Sequence, residues 1–522
     1  MLKKQFTYFI VITFALLLGG CANTHKSKAD IAISILQTDA LNFPFVGHGV
    51  QWSAYPHADS ENAEWGFLMT DEKWSELYKR LDFVNPHIIR VMDVASWRYY
   101  KGLDKNKQPI LDFNNQEIKS LCKLLDYCQQ NNIPVLFGEW GAPGFWDPTK
   151  NPDNIHLATD DRWIDMITKY LDFLIVEKGY TCIKYYNLVN EPNGYWASTD
   201  GKWEEWKSGY QKLNKAFVKT GLHKYVTLAG PDAVTQWDHP KHPKKAADWV
   251  YSTVDELDSI TGIYDFHIYA DQDLIRTGNF ISYLTPFTDK INQTKKPFVL
   301  GELGMKYSGE LQKLNTQKGK EDPFAGPDDS SMFVYDYFYG MDMADATIQS
   351  MLAGVGGAIA WDLDDAMHTV GDLGEKNQLK KWGMWNILSE EFGDLDVDKT
   401  PRPWAYSWTL LCNLFPPQAT IYKPIISVQN DSIRSVASLH QKDFTFAVVN
   451  QSNQTKTIAL ETTIATSNKP LYLYEYSETN RPQNKNGFPV AVKTITANLN
   501  KEKLVITAKA NSLVFLSSIL IK

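Results

Sequence analysis

The sequence predicts a (β/α)8 barrel followed by a small all-β sandwich. Three observations carry that prediction. Between residues 45 and 415, eight short apolar, β-rich runs alternate with amphipathic helical patterns, and such alternation favours a closed parallel sheet covered by helices. Pro416-Pro417 then breaks the pattern, and from Ala419 to Lys522 the chain reads as short strands separated by turn clusters. Finally, polar residues collect at the C-terminal ends of the barrel strands, where the loops of such a barrel form one mouth. A doubly wound open sheet is the competing arrangement. No G-x-G-x-x-G follows the first strand, which weakens a dinucleotide-binding reading of it.

Residues 1–20 are set apart from the fold. Lys3 and Lys4 precede an apolar run over 6–18, too short for a comfortable membrane span and patterned like a signal peptide. It ends in Leu18-Gly19-Gly20-Cys21, which resembles the lipobox of bacterial lipoproteins. The resemblance implies cleavage before Cys21 and acyl chains on its sulfur and amino group. Each buried CH₂ adds about 0.8 kcal/mol, so several chains give stable anchoring. The implied location is outside the cytoplasm, lipid-anchored at an outer membrane or cell surface, with no other contact to the bilayer. A plain secretory signal is the alternative. Residues 21–40 are assigned to a tether, polar over 22–30.

The strands of the barrel are expected at 45–52, 87–93, 134–140, 183–191, 225–232, 263–270, 296–304 and 357–363. Helices are expected at 72–84, 115–131, 160–177, 203–221, 244–260, 280–294, 332–352 and 404–415. Lys169 beside Leu171, Leu174 and Ile175 illustrates the two-faced pattern of a helix lying on a sheet. The barrel domain is placed at 41–415. The sandwich, 416–522, should hold strands at 433–438, 444–450, 457–460, 471–476, 504–508 and 513–520, with turns at 450–453 and 484–487. No long linker separates the two domains, so they should pack together.

Four cysteines remain after Cys21: Cys122, Cys128, Cys182 and Cys412. An exported chain can oxidise its thiols. However, Cys122 and Cys128 lie six apart in a helical pattern, about 600° round the axis, and face different ways. Free buried thiols are the expectation. No Cys/His spacing matches a zinc site.

Composition excludes several classes. Apolar residues make up 43% of the 522 and charged residues 22%, which rules out a disordered chain, a collagen and a polytopic membrane protein. The net charge of −8 gives no basic footprint for nucleic acid. The 17 Trp, 26 Tyr and 25 Phe suit both a packed core and a cleft that stacks on the flat faces of sugar rings.

The chemistry-bearing residues follow the strands. Strand two ends near Arg90 and Asp93, and strand three at Glu139-Trp140. Strand four ends Asn187-Leu188-Val189-Asn190-Glu191-Pro192. Strand six carries Asp265, His267 and Tyr269; strand seven ends at Glu302; strand eight carries Trp361-Asp362. Glu191 and Glu302 would face each other across the mouth, as two-carboxylate glycoside hydrolysis requires.

Asn190-Glu191-Pro192 on strand four, Glu302 closing strand seven, His267-x-Tyr269 on strand six and Trp361 on strand eight resemble the clan A retaining glycoside hydrolases. The match spans residues 45–415 and looks most like families 5, 30 and 39. The C-terminal sandwich is similar to that of families 30 and 39, and residues 140–146 resemble their Pro-and-Trp loop. The resemblance implies a retaining β-glycosidase acting on β-linked oligo- or polysaccharides, without metal or organic cofactor. Glu191 would be the general acid and then the general base, kept protonated by burial and the neighbouring negative carboxylate. Glu302 would be the nucleophile, with Arg90 and Tyr269 as candidates to hold it ionised. Asn190 could donate to a sugar 2-hydroxyl, and His267 could bond the acid or a hydroxyl. Trp361 could floor the subsite at the scissile bond, and Trp140 is a further candidate for binding substrate.

Plainer roles stay open for the same residues. Either glutamate could pair with an arginine, Arg90 could be a structural ion-pair partner, His267 a satisfied buried histidine, and Trp361 part of the core. Of Trp52, Trp140, Trp146, Trp196 and Trp237, two or three are expected in the cleft. Asp362, Asp364 and Asp365 read as a solvated or sugar-bonding loop, since the run lacks the spaced ligands and central Gly of an EF-hand. The segments 308–331 and 362–381 should set the height of the cleft walls. Two other functional classes remain: a glycan-binding surface lipoprotein without turnover, and a structural protein using the barrel as scaffold.

Overall fold

The computed structural model describes residues 29–56, 65–147, 149, 151–369, 378–393, 398–428, 432–466 and 469–521. Cys21 and the expected signal peptide lie outside them. Eight parallel strands close a barrel in chain order. They are β1 (Gly49–Gln51), β2 (Ile89–Asp93), β3 (Val135–Glu139), β4 (Ile183–Asn187), β5 (Thr227–Val234), β6 (Thr261–Asp271), β7 (Phe298–Lys306) and β8 (Ala358–Ala360). The main helices are α1 (Asp71–Val84), α2 (Gln116–Gln130), α3 (Asp161–Leu171), α4 (Trp203–Thr220), α5 (Ala246–Leu257), α6 (Phe280–Ile291), α7 (Tyr337–Ala353) and α8 (Pro403–Leu414).

Local chemistry starts and stops these helices. The Thr70 hydroxyl accepts from Lys73 N at the start of α1, and Asn85 ends it in the left-handed region. Asn115 and Asp160 cap α2 and α3 in the same way, accepting from Ile118 N and Arg162 N, which satisfies otherwise unpaired backbone donors. The expected helix over 160–177 differs in its last part. Asp172–Glu177 is a π-turn, whose wider winding leaves both Leu174 and Ile175 buried.

Period-two alternation builds the barrel interior in layers. Ile88, Leu136, Ala229, Ile263, Val299 and Ile359 form an apolar plug low in the barrel. Along the same strands toward the mouth come Arg90, Asp265 and His267, all fully buried. Two irregularities re-aim side chains into this polar layer. The β6–β7 register shifts between Leu300 and Glu302, which turns Glu302 inward at a position strict alternation would face outward. The β5–β6 register shifts between Pro231 and Ala233, and Asp232 sits there at φ 59°.

The C-terminal domain pairs a six-stranded antiparallel sheet with a four-stranded one. All six expected strands are present, together with short ones at Thr420–Tyr422, Ile425–Ile426 and Lys493–Ile495. Part of the segment assigned to the tether, Ile31–Ile35, is a strand of the four-stranded sheet, parallel to Lys456–Thr462. Its sequence IAISI buries Ile31, Ile33 and Ile35 on one face, the alternation of a half-buried strand. The sandwich packs on the barrel through the Arg434–Asp345 ion pair and through Tyr476, whose hydroxyl donates to Tyr337 O at 2.6 Å. Cys122, Cys128, Cys182 and Cys412 are free thiols. No helix among the described residues is long and apolar enough to cross a membrane.

Candidate active site

A cleft of about 800 Å³ opens at the C-terminal mouth of the barrel. Glu191 and Glu302 both line it, as do Trp140, Asn190, Tyr269 and Trp361. Glu191 follows β4 in a left-handed conformation at φ 47°, which is uncommon for a residue with a Cβ and concentrates at functional sites. One carboxylate oxygen of Glu191 and one of Glu302 lie within 4.8 Å of each other.

The two carboxylates have different surroundings. Glu302 is almost fully buried; it accepts from Arg90 Nη1 at 2.6 Å and from the Tyr269 hydroxyl at 2.5 Å. Burial lifts its carboxyl above the ordinary glutamate value and the nearby Glu191 adds to this, while His267, Arg90 and the Tyr269 hydroxyl pull it down. Tyr269 remains an O–H donor, because burial and the charge of Glu302 push its phenol well up. Glu191 is more accessible; it accepts from His267 Nδ1 at 3.0 Å and from Trp196 Nε1 at 2.6 Å.

Arg90 organises the floor. Beyond Glu302, its Nη2 donates to Asn190 Oδ1 at 2.7 Å and to both oxygens of Asp232 at 3.2 and 2.9 Å, and its Nη1 donates to Gln51 Oε1. Because Asn190 Oδ1 is engaged by a cation, its amide N–H₂ is the group left to donate into the cleft. His267 donates from its other nitrogen to Asp232 Oδ1 at 2.9 Å. Burial opposes charge on this ring, but Asp232 and Glu302 outweigh it and raise His267 to about 10. Arg90 and His267 are therefore ion-pair partners and part of the carboxylate assembly at once.

The sequence matches no family model and no curated protein. Solved structures do match over nearly the whole chain. A conserved exported protein from Bacteroides fragilis superposes with a TM-score of 0.64 at 13% identity, covering 93% of this chain and 100% of that one. A family 30 endoxylanase from Clostridium papyrosolvens C71 gives 0.57 at 11% identity, covering 93% and 99%. A family 39 β-xylosidase from Caulobacter crescentus gives 0.54 at 13%, again covering 93% and 99%. The likeness is one of fold. It extends through the barrel and the sandwich together, as the sequence resemblance to families 30 and 39 leads one to expect.

The site differs from several of the sequence expectations. Trp140, Trp196 and Trp237 line the cleft, whereas Trp52 is fully buried and packs against Trp74 and Tyr127. It follows the last residue of β1 and points outward, between the barrel and its helices. Trp361 stands against Trp140 and against His368 at 4.7 Å between centroids. Asp362, Asp364 and Asp365 are not a solvated loop; all three are fully buried. Asp364 accepts from the Tyr55 hydroxyl at 2.8 Å. Asp365 pairs with Arg402 and accepts from Trp382 N at 3.0 Å. Asp364 and Asp365 fold inward to hold the segment that carries Trp382, a further cleft residue packed edge-on against Tyr269. Glu139 is also structural, accepting from Tyr99 and Trp163 behind the site, with burial raising it to about 8.

Asp232, Gln51 and Trp382 belong to the assembly and were missed. Asp232 was findable, because it closes strand five and strand C-terminal ends face the mouth. Beside the cleft, Asp200, His239 and His242 approach one another closely enough to suggest a metal. The hydrogen bonds argue otherwise. His239 Nδ1 accepts from Lys241 N and His242 N at 3.1 and 3.2 Å, so in the neutral ring Nε2 carries the proton and donates to Asp200 at 3.2 Å. That nitrogen has no lone pair for a cation.

Proposed function

We propose that the chain is a retaining β-glycosidase acting on β-linked oligo- or polysaccharides. One observation carries this reading: two carboxylates within 4.8 Å at the barrel mouth, with charged and phenolic donors on Glu302 and an accessible position for Glu191. A separation of about 5–5.5 Å between carboxyl groups belongs to retaining enzymes, whereas inverting ones leave about 6.5–9.5 Å for a water molecule.

Glu302 attacks the anomeric carbon as the bond to the glycosidic oxygen breaks, and Glu191 gives that oxygen its proton. The covalent glycosyl-enzyme is then hydrolysed. Glu191 takes a proton from the incoming water, and the bond to Glu302 breaks. Arg90 and the Tyr269 hydroxyl stabilise Glu302 as it departs, in a buried site where charge-assisted bonds count most. The Asn190 amide donates to the hydroxyl next to the anomeric carbon. Trp361 floors the subsite, and Trp140, Trp196, Trp237 and Trp382 offer ring faces along the cleft.

Screening the wild type and Glu302→Gln on β-linked polysaccharides and aryl β-glycosides tests the reading. Turnover by the wild type and none by the variant supports it. Binding without turnover by both would make the chain a glycan-binding protein. The lipid anchor at Cys21 is proposed on the residues 18–21 alone. Cys21→Ser should release a protein of unchanged activity from membranes, and persistent fractionation with membranes in detergent-free extracts would refute the anchor.

A further inference from the structure

We infer that Asp232 is a positioning residue: it holds His267 as an imidazolium whose two N–H groups tie the Glu191–Glu302 pair to the barrel floor. The inference rests on the assignment of those two glutamates as the reacting pair. Three carboxylates converge on the two ring nitrogens of His267. Asp232 Oδ1 lies 2.9 Å from Nε2, Glu191 Oε1 lies 3.0 Å from Nδ1, and Glu302 Oε2 lies 3.4 Å from Nδ1. A neutral imidazole carries one proton. It would turn a lone pair toward a carboxylate on one side or the other. With all three groups ionised, only the doubly protonated ring satisfies them.

The other groups around the ring leave Asp232 as the anchor. Arg90, on β2, opposes charge on His267. Asp265, two residues earlier on β6, is pushed well above the ordinary aspartate value by burial and by Asp232. Tyr269, two residues later, keeps its proton and points it at Glu302. Glu191 and Glu302 change charge during the reaction itself. Asp232 does not. Burial works against its ionisation, but Arg90 and His267 hold it far below the usual carboxylate range. Its position is fixed as well: Arg90 Nη2 reaches both its oxygens, and its backbone N–H donates to Asp265 Oδ1 at 3.1 Å. Asp232 thus supplies a constant negative charge behind a histidine whose front faces a varying one. With Asp232 present, His267 keeps both protons while a proton moves on and off Glu191.

The test uses the full chain with ¹⁵N-labelled histidine. The His267 ring signal is assigned by its loss in His267→Gln and followed from pH 5 to 11, in the wild type and in Asp232→Asn. In the wild type both ring nitrogens should stay protonated through neutral pH and titrate near 10. In Asp232→Asn the titration should fall by about 1–3 pH units, the usual effect of one close opposite charge. The alkaline limb of kcat should move with it, with KM little changed. A merely structural Asp232 would lower kcat by the same factor at every pH. A wild-type His267 titrating between pH 6 and 7, or an unmoved titration in Asp232→Asn, overturns the inference. Should Asp232→Asn fail to fold, the wild-type titration decides alone. If the wild type cleaves no β-glycoside, the two-glutamate assignment fails, while the ring titration still reports whether Asp232 charges His267.

Discussion

Trp196 Nε1 donates to Glu191 Oε2 at 2.6 Å, although the indole is 37% exposed. The ring lies over Gly194, where an added Cβ would meet it at 2.3 Å, so glycine is what allows this approach. The proposed acid is therefore held on one oxygen by a buried histidine and on the other by an accessible aromatic side chain in the cleft.

The two functions of Trp196 should separate by substitution. Trp196→Phe keeps a ring face but removes the N–H. It should lower kcat on natural substrates about tenfold, the equivalent of roughly 1.4 kcal/mol in the barrier, with KM little changed. Trp196→Ala removes the ring as well and should also raise KM. Steady-state kinetics of the two variants checks this. An unchanged kcat in Trp196→Phe would make the indole a stacking surface only.

The junction between barrel and sandwich should behave as a buried ionic contact. Arg434 donates from Nε to Asp345 Oδ1 at 2.6 Å and pairs with its second oxygen, with Asp345 fully buried. Removing one partner strands the other charge and costs about 3–5 kcal/mol. Arg434→Ala should lower the melting temperature clearly, whereas Arg434→Met with Asp345→Leu should recover much of the loss. Thermal denaturation of the three chains distinguishes this from an inert surface pair.

The charge on His267 has a stability signature. Its folded value of about 10 lies above the ordinary 6.5. Between these values the folded protein binds more protons than the unfolded chain, so stability falls as pH rises through the window. The contribution is complete below pH 6.5 and lost above about 10. His267→Gln lacks it. The gap in melting temperature between wild type and His267→Gln should therefore be widest near pH 6, narrow from pH 7 to 10 and level off beyond. A gap constant from pH 6 to 11 would mean that the ring is neutral in the folded protein.

Elements were legible in the sequence where burial imposes a period. All eight barrel strands and six sandwich strands announce themselves as apolar runs between turn residues. Asn190, Glu191, His267, Tyr269, Glu302 and Trp361 were legible because strand C-terminal ends share one mouth. Asp232 lies at a strand C-terminal end and was findable by the same rule, but its side chain enters the assembly through a register shift and a positive φ, neither of which has a period. Asp362, Asp364 and Asp365 looked solvated because charge usually is; Asp364 and Asp365 are instead held by Tyr55, Arg402 and backbone N–H groups distant in the chain. Trp52 and Trp196 are the same residue type near the same mouth, and only the direction of each side chain separates core from cleft.

The division of labour between Glu191 and Glu302 is the most discriminating consequence. Glu302→Ala removes the nucleophile and should stop hydrolysis of every ordinary β-glycoside. Glu191→Ala removes proton transfer alone, typically worth 10²–10⁴-fold, and the loss should depend on the leaving group. A dinitrophenolate departs without protonation, so its glycosyl-enzyme should still form quickly; a sugar alkoxide needs the proton, so natural substrate should turn over very slowly. Azide should rescue Glu191→Ala with a β-glycosyl azide, because a small anion needs no general base and enters on the face opposite Glu302. With Glu302→Ala, azide enters from the vacated face and should give the α-azide. The anomeric configuration, read by NMR, thus reports which carboxylate is which. An α-azide from Glu191→Ala, or equal losses on activated and natural substrates in that variant, would show that the roles are reversed or the pair is wrong.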